Sequence, residues 1–351
     1  FKRIPSPLRQ PLGAITWIVQ VILGILTLLV LLAIVAAVPV VNLFALGYLL
    51  EVEGSVARSG KVRSAFPLLP VAMRLGSILI GVIACLLPVM YFANLVADAR
   101  LIAPGSVTAW LWLATLLIIS IAVAVYILLA LARGGSPTCF LRPIKNVRWL
   151  RKQLQSGEYW PRVALLQQNL LAALRPRHHL TLGIFGFLGT WVWLALPTAL
   201  YGAWWQSHST WSQVLTLVVG AAMIPVLAWL PLMQVRLAVE NRWQAMFEVG
   251  PIRELFRRSP LCWVLAIAAL YGLSIPLFFY SLQIRLHIPL HLGFWWDLTF
   301  ISIACTFPAR AALGWAYHRS QGRKSAWWGW VWFCRLLLGG LLALYVWLLF
   351  F

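Results

Sequence analysis

RGGSPTCFLRPIKNVRWLRKQLQSGEYWPRVALLQQNLLAALRPRHH, residues 133–179, is the one long polar interval in a chain that is otherwise apolar. Nine of its residues are basic (Arg133, Arg142, Lys145, Arg148, Arg151, Lys152, Arg162, Arg175, Arg177), and only Glu158 is acidic. The interval has helical order. Ile144, Val147, Leu150 and Leu154 fall on one stripe, while Lys145, Arg148, Arg151 and Lys152 fill much of the remainder. A second helix is expected to open near Pro161 and stop before Pro176, with Val163, Leu166, Leu170, Leu171 and Leu174 on its apolar face. Basic amphipathic helices of this kind lie on a membrane surface. Here they either cap a bundle and hold its orientation, or present Lys145, Arg148, Arg151 and Lys152 to a partner or an anionic lipid.

The composition outside the interval gives the class. Apolar residues make up 62% of the chain and charged residues 10%, against about 45–50% and about 25% in soluble domains. Uncharged apolar runs longer than ~18 residues recur, as transmembrane helices require. The expected fold is an all-α polytopic membrane bundle. Its organisation is an N-terminal membrane half (1–132), the basic linker (133–179) and a C-terminal membrane half (180–351). The net charge of +20 does not point to nucleic acid, because the basic residues sit in loops between spans and follow the positive-inside rule. The partners it implies are membrane lipids, chiefly anionic headgroups of the cytoplasmic leaflet, and other membrane subunits.

Residues 10–50 carry no charge. As one helix they would reach roughly 60 Å, about twice the hydrocarbon core, so the run must fold back near Pro39 and Asn42. The reading is a span at 14–38, then a re-entrant or short return segment at 40–50, with the chain from Glu51 to Arg74 back on the side of the N-terminus. Further spans are expected at 75–97, 108–132, 180–204, 212–234, 261–283, 293–316 and 326–351, eight in all besides the return segment. With the N-terminus cytoplasmic, 24 of the 28 Lys and Arg fall on the inner side, Arg100 and Arg285 outside, and Arg310 and Arg335 within spans. The C-terminus then lies on the outer side of the cytoplasmic (inner) membrane. Lys2, Arg3 and Arg9 precede the first run as in a signal peptide, but that run is too long for one and reads as a retained membrane segment. Many of the 21 Trp cluster near predicted span ends (Trp110, Trp204, Trp205, Trp295, Trp296, Trp327, Trp328), as an aromatic belt does.

Charge at membrane depth is the best pointer to a site. Arg335 lies roughly 13 Å into the last predicted span, and Arg310 is about six residues from the inner end of its own. Asp297 and Arg310 are roughly 20 Å apart along a helix and cannot pair; Asp297 is expected to meet Arg285 or Arg100. Glu51, Glu53 and Glu240 are the inner-side carboxylates available to the two arginines. Either the arginines snorkel to headgroups, or these residues make a polar pathway or lipid-headgroup site. His287 and His291 have the spacing of a metal pair, but Pro289 breaks the helix that would align them. No metal or cofactor is expected. The five cysteines are single, with no CxxC.

P-loop, GxGxxG, HExxH and GxSxG signatures are absent. Only two aspartates exist, Asp98 and Asp297, and Glu51 and Glu53 stand two apart, off a common helix face. The expectation is therefore no enzyme, but a multi-pass scaffolding or accessory subunit of a larger membrane complex. The alternative is a transporter or channel for a lipid or anionic solute that uses the intramembrane arginines.

Two segments share a plan of a Pro-containing apolar run, a short acidic-then-basic amphipathic stretch and then a span: Gly47 to Pro67, and Val235 to Phe247. Their spacing differs, with twelve residues between Glu53 and Phe66 against six between Glu240 and Phe247. Internal repeats are common in transporter folds. Residues 230–260 contain Arg236-Leu-Ala-Val-Glu240, Ala245-Met-Phe247 and Ile252-Arg-Glu-Leu-Phe-Arg-Arg258 before Ser259-Pro260. This segment resembles uncharacterised bacterial multi-span membrane-protein families. The resemblance implies the membrane class and no activity.

Overall fold

The computed structural model describes residues 11–135, 137–205, 210–287 and 292–350, and within them leaves some side chains aside, including those of Trp204, Trp205, Arg285, His287, Trp295 and Trp296. The described residues contain no strand. The helices are α1 (Pro11–Ala37), α2 (Asn42–Ser59), α3 (Leu69–Ile102), α4 (Val107–Ala132), α5 (Pro137–Phe140), α6 (Pro143–Ser156) and α7 (Tyr159–Leu174). They continue with α8 (Pro176–Trp205), α9 (Thr210–Glu240), α10 (Val249–Arg258), α11 (Pro260–His287), α12 (Leu292–Ser320) and α13 (Trp328–Phe350). Seven helical stretches are long and apolar enough to cross a bilayer: Trp17–Ala37, Leu69–Ile102, Val107–Ala132, Val218–Glu240, Pro260–Phe279, Asp297–Ser320 and Trp328–Leu348. By length and apolarity this is a multi-pass membrane protein.

Several expected boundaries move. The break after α1 falls where Pro39 and Asn42 placed it, at a turn over Val38–Val41 in which Val40 takes a left-handed φ of 69°. The return segment does not stop at Leu50, however. α2 runs on through Glu51, Glu53 and Gly54, the last packed against the Ala238 carbonyl of α9, to Ser59, and ends at Gly60, which takes a left-handed φ of 70°. α9 likewise continues past residue 234 to Glu240, placing Arg236 and Glu240 in the helix and not in a loop. In both helices the charged residues that suggested a loop have partners.

The chain divides into two compact units, one holding the residues up to Leu28 with Leu68–Leu174, the other Leu29–Pro67 with Arg175–Phe351. The border lies inside α1 and at the α7–α8 junction, and α2 is grouped with the C-terminal helices.

In the first unit α3 and α4 form a long hairpin. Ser106 caps α4 by accepting from the Ala109 N–H at 3.2 Å. Arg74 donates to the Gly134 carbonyl at 3.1 Å, and the Tyr126 hydroxyl donates to the Phe140 carbonyl. Ala130, Cys139 and Phe140 form a small buried cluster. α6 and α7 occur where the sequence patterns placed them, but α6 is turned differently from a soluble amphipathic helix. Its buried residues are Asn146 and Gln153. Asn146 donates to the Cys139 carbonyl at 2.7 Å and accepts from Arg133 at 3.0 Å. The stripe of Ile144, Val147 and Leu154 faces outward, exposed, and Lys145, Arg148, Arg151 and Lys152 are exposed as well.

In the second unit α2 is the inner helix, packed most extensively on α8 and α12 and also on α9. Lipid tails are as apolar as side chains, so such packing relies on close backbone approach and polar bonds. A Cβ on Gly47 of α2 would run into the His179 carbonyl of α8, and one on Gly183 of α8 into the Leu43 carbonyl of α2. Larger side chains fill the rest, among them Trp263, Ile267, Leu313 and Leu342, all fully buried.

Candidate functional site

The buried charge of the second unit gathers at the meeting of α2, α9 and α12. Glu53 is fully buried, and the Arg310 side chain is only 10% exposed. Arg310 Nη1 donates to Glu53 Oε2 at 2.9 Å and to Gln234 Oε1 at 2.6 Å. Gln234 Nε2 donates to Thr190 Oγ1 at 2.7 Å, and the Thr190 hydroxyl donates in turn to the Gly186 carbonyl at 2.7 Å. The chain of bonds thus links α12, α2, α9 and α8. Glu53 Oε1 and Arg310 Nε have no hydrogen-bond partner among the described residues. Burial penalises both charges heavily, and their mutual attraction offsets that cost only as long as both are present.

One side of this network opens on a cavity of about 290 Å³. Its polar wall includes Arg310, Gln234, Thr190, Ser274, Tyr271 and Tyr345, with leucines making most of the remainder. The Ser274 and Tyr345 hydroxyls share a hydrogen bond at 2.8 Å, and the Tyr271 hydroxyl donates to the Leu227 carbonyl at 2.8 Å. A small solute entering here would meet one guanidinium, an amide and several hydroxyls in an otherwise apolar enclosure. That combination fixes an anionic or polar group while sheltering an apolar body.

The other residues singled out from the sequence separate from this cluster. Glu51 points away from Glu53, as two-residue spacing on a helix requires, and pairs with Arg58 at 2.6 Å and His178 at 3.0 Å. Glu240 does not reach either intramembrane arginine. It is held by Arg236 at 2.6 Å and by Arg242, and this contact keeps the exposed Arg242 guanidinium above its ordinary range. Arg236, itself buried, also binds Glu248 at 2.7 Å and so ties the end of α9 to the start of α10. Asp297 is exposed and has no ion-pair partner among the described residues. The side chains of Arg285, His287 and His291 lie outside the described residues, so the expected Asp297–Arg285 contact and the histidine pair do too. His179 is buried, its ring edge-on to Tyr48 at 5.7 Å. Arg335 makes no contact with Arg310's network; its guanidinium lies 5.4 Å above the Trp332 ring. No group of three potential metal ligands occurs among the described residues.

Gln234 is the functional candidate missed in the sequence, and the internal repeat is the signal that finds it. The two repeat segments fold alike when Phe66 is matched to Phe247. Each helix then ends on a left-handed residue, Gly60 or Asn241, whose N–H bonds the carbonyl of Val56 or Leu237 at 2.7 Å. An extended basic residue follows, Lys61 or Arg242, and then a 3-10 turn, Val62–Ala65 or Trp243–Met246. The backbone bond Ser64 to Lys61, 3.0 Å, has its counterpart in Ala245 to Arg242, 3.1 Å. Carried back along the helices, this register pairs Glu53 with Gln234, each thirteen residues before its phenylalanine. The spacing that differed between Glu53 and Glu240 compared the wrong residues. Both members of the true pair bond the same Arg310 nitrogen. The equivalent carbonyls of Ala57 and Ala238 each receive a side chain from a neighbouring helix, His318 at 3.1 Å and Arg58 at 3.0 Å.

No family model matches the chain, and comparisons with curated proteins and with solved structures likewise give no match.

Proposed function

We propose that this multi-pass membrane protein is a carrier for a small anionic or amphiphilic solute, with its binding site in the second unit. The observation that carries the reading is the cavity on Arg310. A buried guanidinium, held by a carboxylate and an amide from two repeat-related helices, borders a space of about 290 Å³. Charged groups retained inside membrane bundles typically mark solute pathways, and sites at the junction of internal repeats are a recurrent arrangement in carriers. In this reading α8 is an eighth span, and the N-terminus and the basic loops face the cytoplasm. α6 and α7 lie on the inner leaflet, with the outward stripe of Ile144, Val147 and Leu154 in the acyl boundary.

The test is flux. Proteoliposomes holding the full chain are incubated with a panel of external radiolabelled carboxylates and phosphate monoesters. Uptake above empty vesicles is expected for at least one, and Ser274→Phe, which fills the cavity without touching the ion pair, should abolish it. Absence of uptake across the panel, or unchanged uptake in Ser274→Phe, removes the carrier reading.

A second reading, an accessory subunit of a membrane complex, has its own support in the first unit. The α3–α4 hairpin buries few residues, Leu69, Ala72, Gly76, Gly81 and Val96 on α3 and Ala109 and Ala130 on α4. Its long apolar flanks are thus free to meet lipid or another chain. Isolation in mild detergent as a monodisperse monomer, with no stoichiometric companion, counts against it.

A further inference from the structure

Arg335 borders a second cavity whose chemistry is unlike that at Arg310. This cleft of about 280 Å³ lies between α9, α10 and α13. Ile224, Leu232, Phe256 and Leu338 form its apolar wall, and Arg253 and Arg335 carry its charge. Arg253 lies 5.9 Å over the Trp229 ring, and Arg335 lies 5.4 Å over that of Trp332. Arg257 joins Arg253 at an adjoining opening lined by Gly250 and Ser325, and the charges of Arg253 and Arg257 act on Arg335.

None of these three arginines has a carboxylate within 4 Å among the described residues. Glu254, the nearest acid at the adjoining opening, is bound by Arg258. Elsewhere in this unit Arg58, Arg236, Arg242 and Arg310 have carboxylate partners, whereas Arg175, Arg177, Arg319 and Arg323 also lack one among the described residues; what distinguishes Arg253, Arg257 and Arg335 is that their charges act together at one cleft. Three like charges drawn together beside an apolar cleft repel one another, and an anion between them would relieve that repulsion. The depth also fits. Arg335 is seven residues into α13, roughly 10 Å along its axis. α10 buries Ile252 and Phe256 while exposing Arg253 and Arg257, as a helix at a headgroup boundary does. An inorganic anion would satisfy the guanidinium groups and leave the apolar cleft unused.

We propose that this cleft binds one acidic glycerophospholipid. Its phosphate sits on Arg253 and Arg335 with Arg257 at the rim, and the first segment of one acyl chain lies between α9 and α13. The site stands whether or not the Arg310 cavity carries a solute.

The experiment uses the delipidated full chain in a neutral detergent, titrated with dioleoyl phosphatidylglycerol, dioleoyl phosphatidylcholine or inorganic phosphate. Retained lipid is read by native mass spectrometry and unfolding temperature by fluorescence. Phosphatidylglycerol should be retained at one equivalent and raise the unfolding temperature; phosphatidylcholine and phosphate should do neither. The double variant Arg253→Gln/Arg335→Gln should lower phosphatidylglycerol retention tenfold or more, with its lipid-free unfolding temperature unchanged. Leu338→Trp, which fills the cleft and keeps every arginine, should lower retention as well, whereas Arg148→Gln on α6 should not. Equal retention of the two lipids by the parent overturns the proposal, as does undiminished phosphatidylglycerol retention in either cleft variant. If inorganic phosphate reproduces the phosphatidylglycerol effect, the occupant is a free anion and the lipid assignment falls.

Discussion

Arg310 and Arg335 are alike in the sequence, each a lone cation in an apolar helix, and the structure treats them in opposite ways. Arg310 is buried against Glu53 and Gln234 where helices approach backbone to backbone. Arg335 is half-buried at a cleft, stacked over Trp332 and faced by other arginines. The first has its counter-charge built in, so removing it damages the protein itself. The second has none, so removing it should damage only what the protein binds. Depth along a helix therefore does not assign a role; the sign of the nearest partner does.

The sharpest way to break this contrast is Arg310→Leu. It leaves Glu53 fully buried without a cation, which should cost about 3–5 kcal/mol, read as a loss of unfolding free energy in detergent. Arg310→Leu/Glu53→Leu removes both charges and should recover most of that loss, since well-packed apolar replacements of buried pairs are often neutral. A double variant no better than the single would mean that the two charges are not coupled.

How far this site could be read in advance depends on what kind of information each part needs. Helix class and most span centres follow from runs of apolar residues, a local property. Glu53 could be shortlisted for Arg310, because so few acids exist, but choosing it over Glu51 and Glu240 needed the helix positions of all three. The charges in α2 and α9 read as the start of loops because a charge ends an uncharged apolar run, while the partners that hold them in helix, such as His178 for Glu51 and Glu248 for Arg236, lie on other elements or beyond the helix end. Gln234 is neutral and lies at the end of an apolar run, so a search for charge at membrane depth does not reach it. The grouping of Arg253, Arg257 and Arg335 is invisible along the chain because α10 and α13 are some eighty residues apart.

Packing around the two arginines sharpens the comparison at lower energy. Gly314→Ala, four residues after Arg310 on α12, pushes a methyl group into the Glu53 carbonyl, and should cost about 1–3 kcal/mol as overpacked contacts do. Gly339, which lines the Arg335 cleft, has no atom within 4 Å of an added Cβ. Gly339→Ala should therefore be neutral or stabilise by up to about 1 kcal/mol through helix propensity. Equal effects at the two glycines, measured by thermal unfolding, would erase the distinction between a tight and an open neighbourhood.

The smallest expected effect is at Arg335 itself. Arg335→Leu removes a cation that has no acid to abandon and relieves its repulsion from Arg253 and Arg257. The stacking over Trp332 that it loses is worth about 0.5–1 kcal/mol at an exposed site, and these two changes oppose each other. Unfolding free energy in lipid-free detergent should stay within about 0.5 kcal/mol of the parent, the range of ordinary surface substitutions. A loss approaching that of Arg310→Leu would mean that Arg335 has a hidden counter-charge and belongs to the same class as Arg310, leaving no cationic cleft to fill. A near-zero loss leaves a cationic cleft that the stability of the fold does not need, as a lipid-binding site would be.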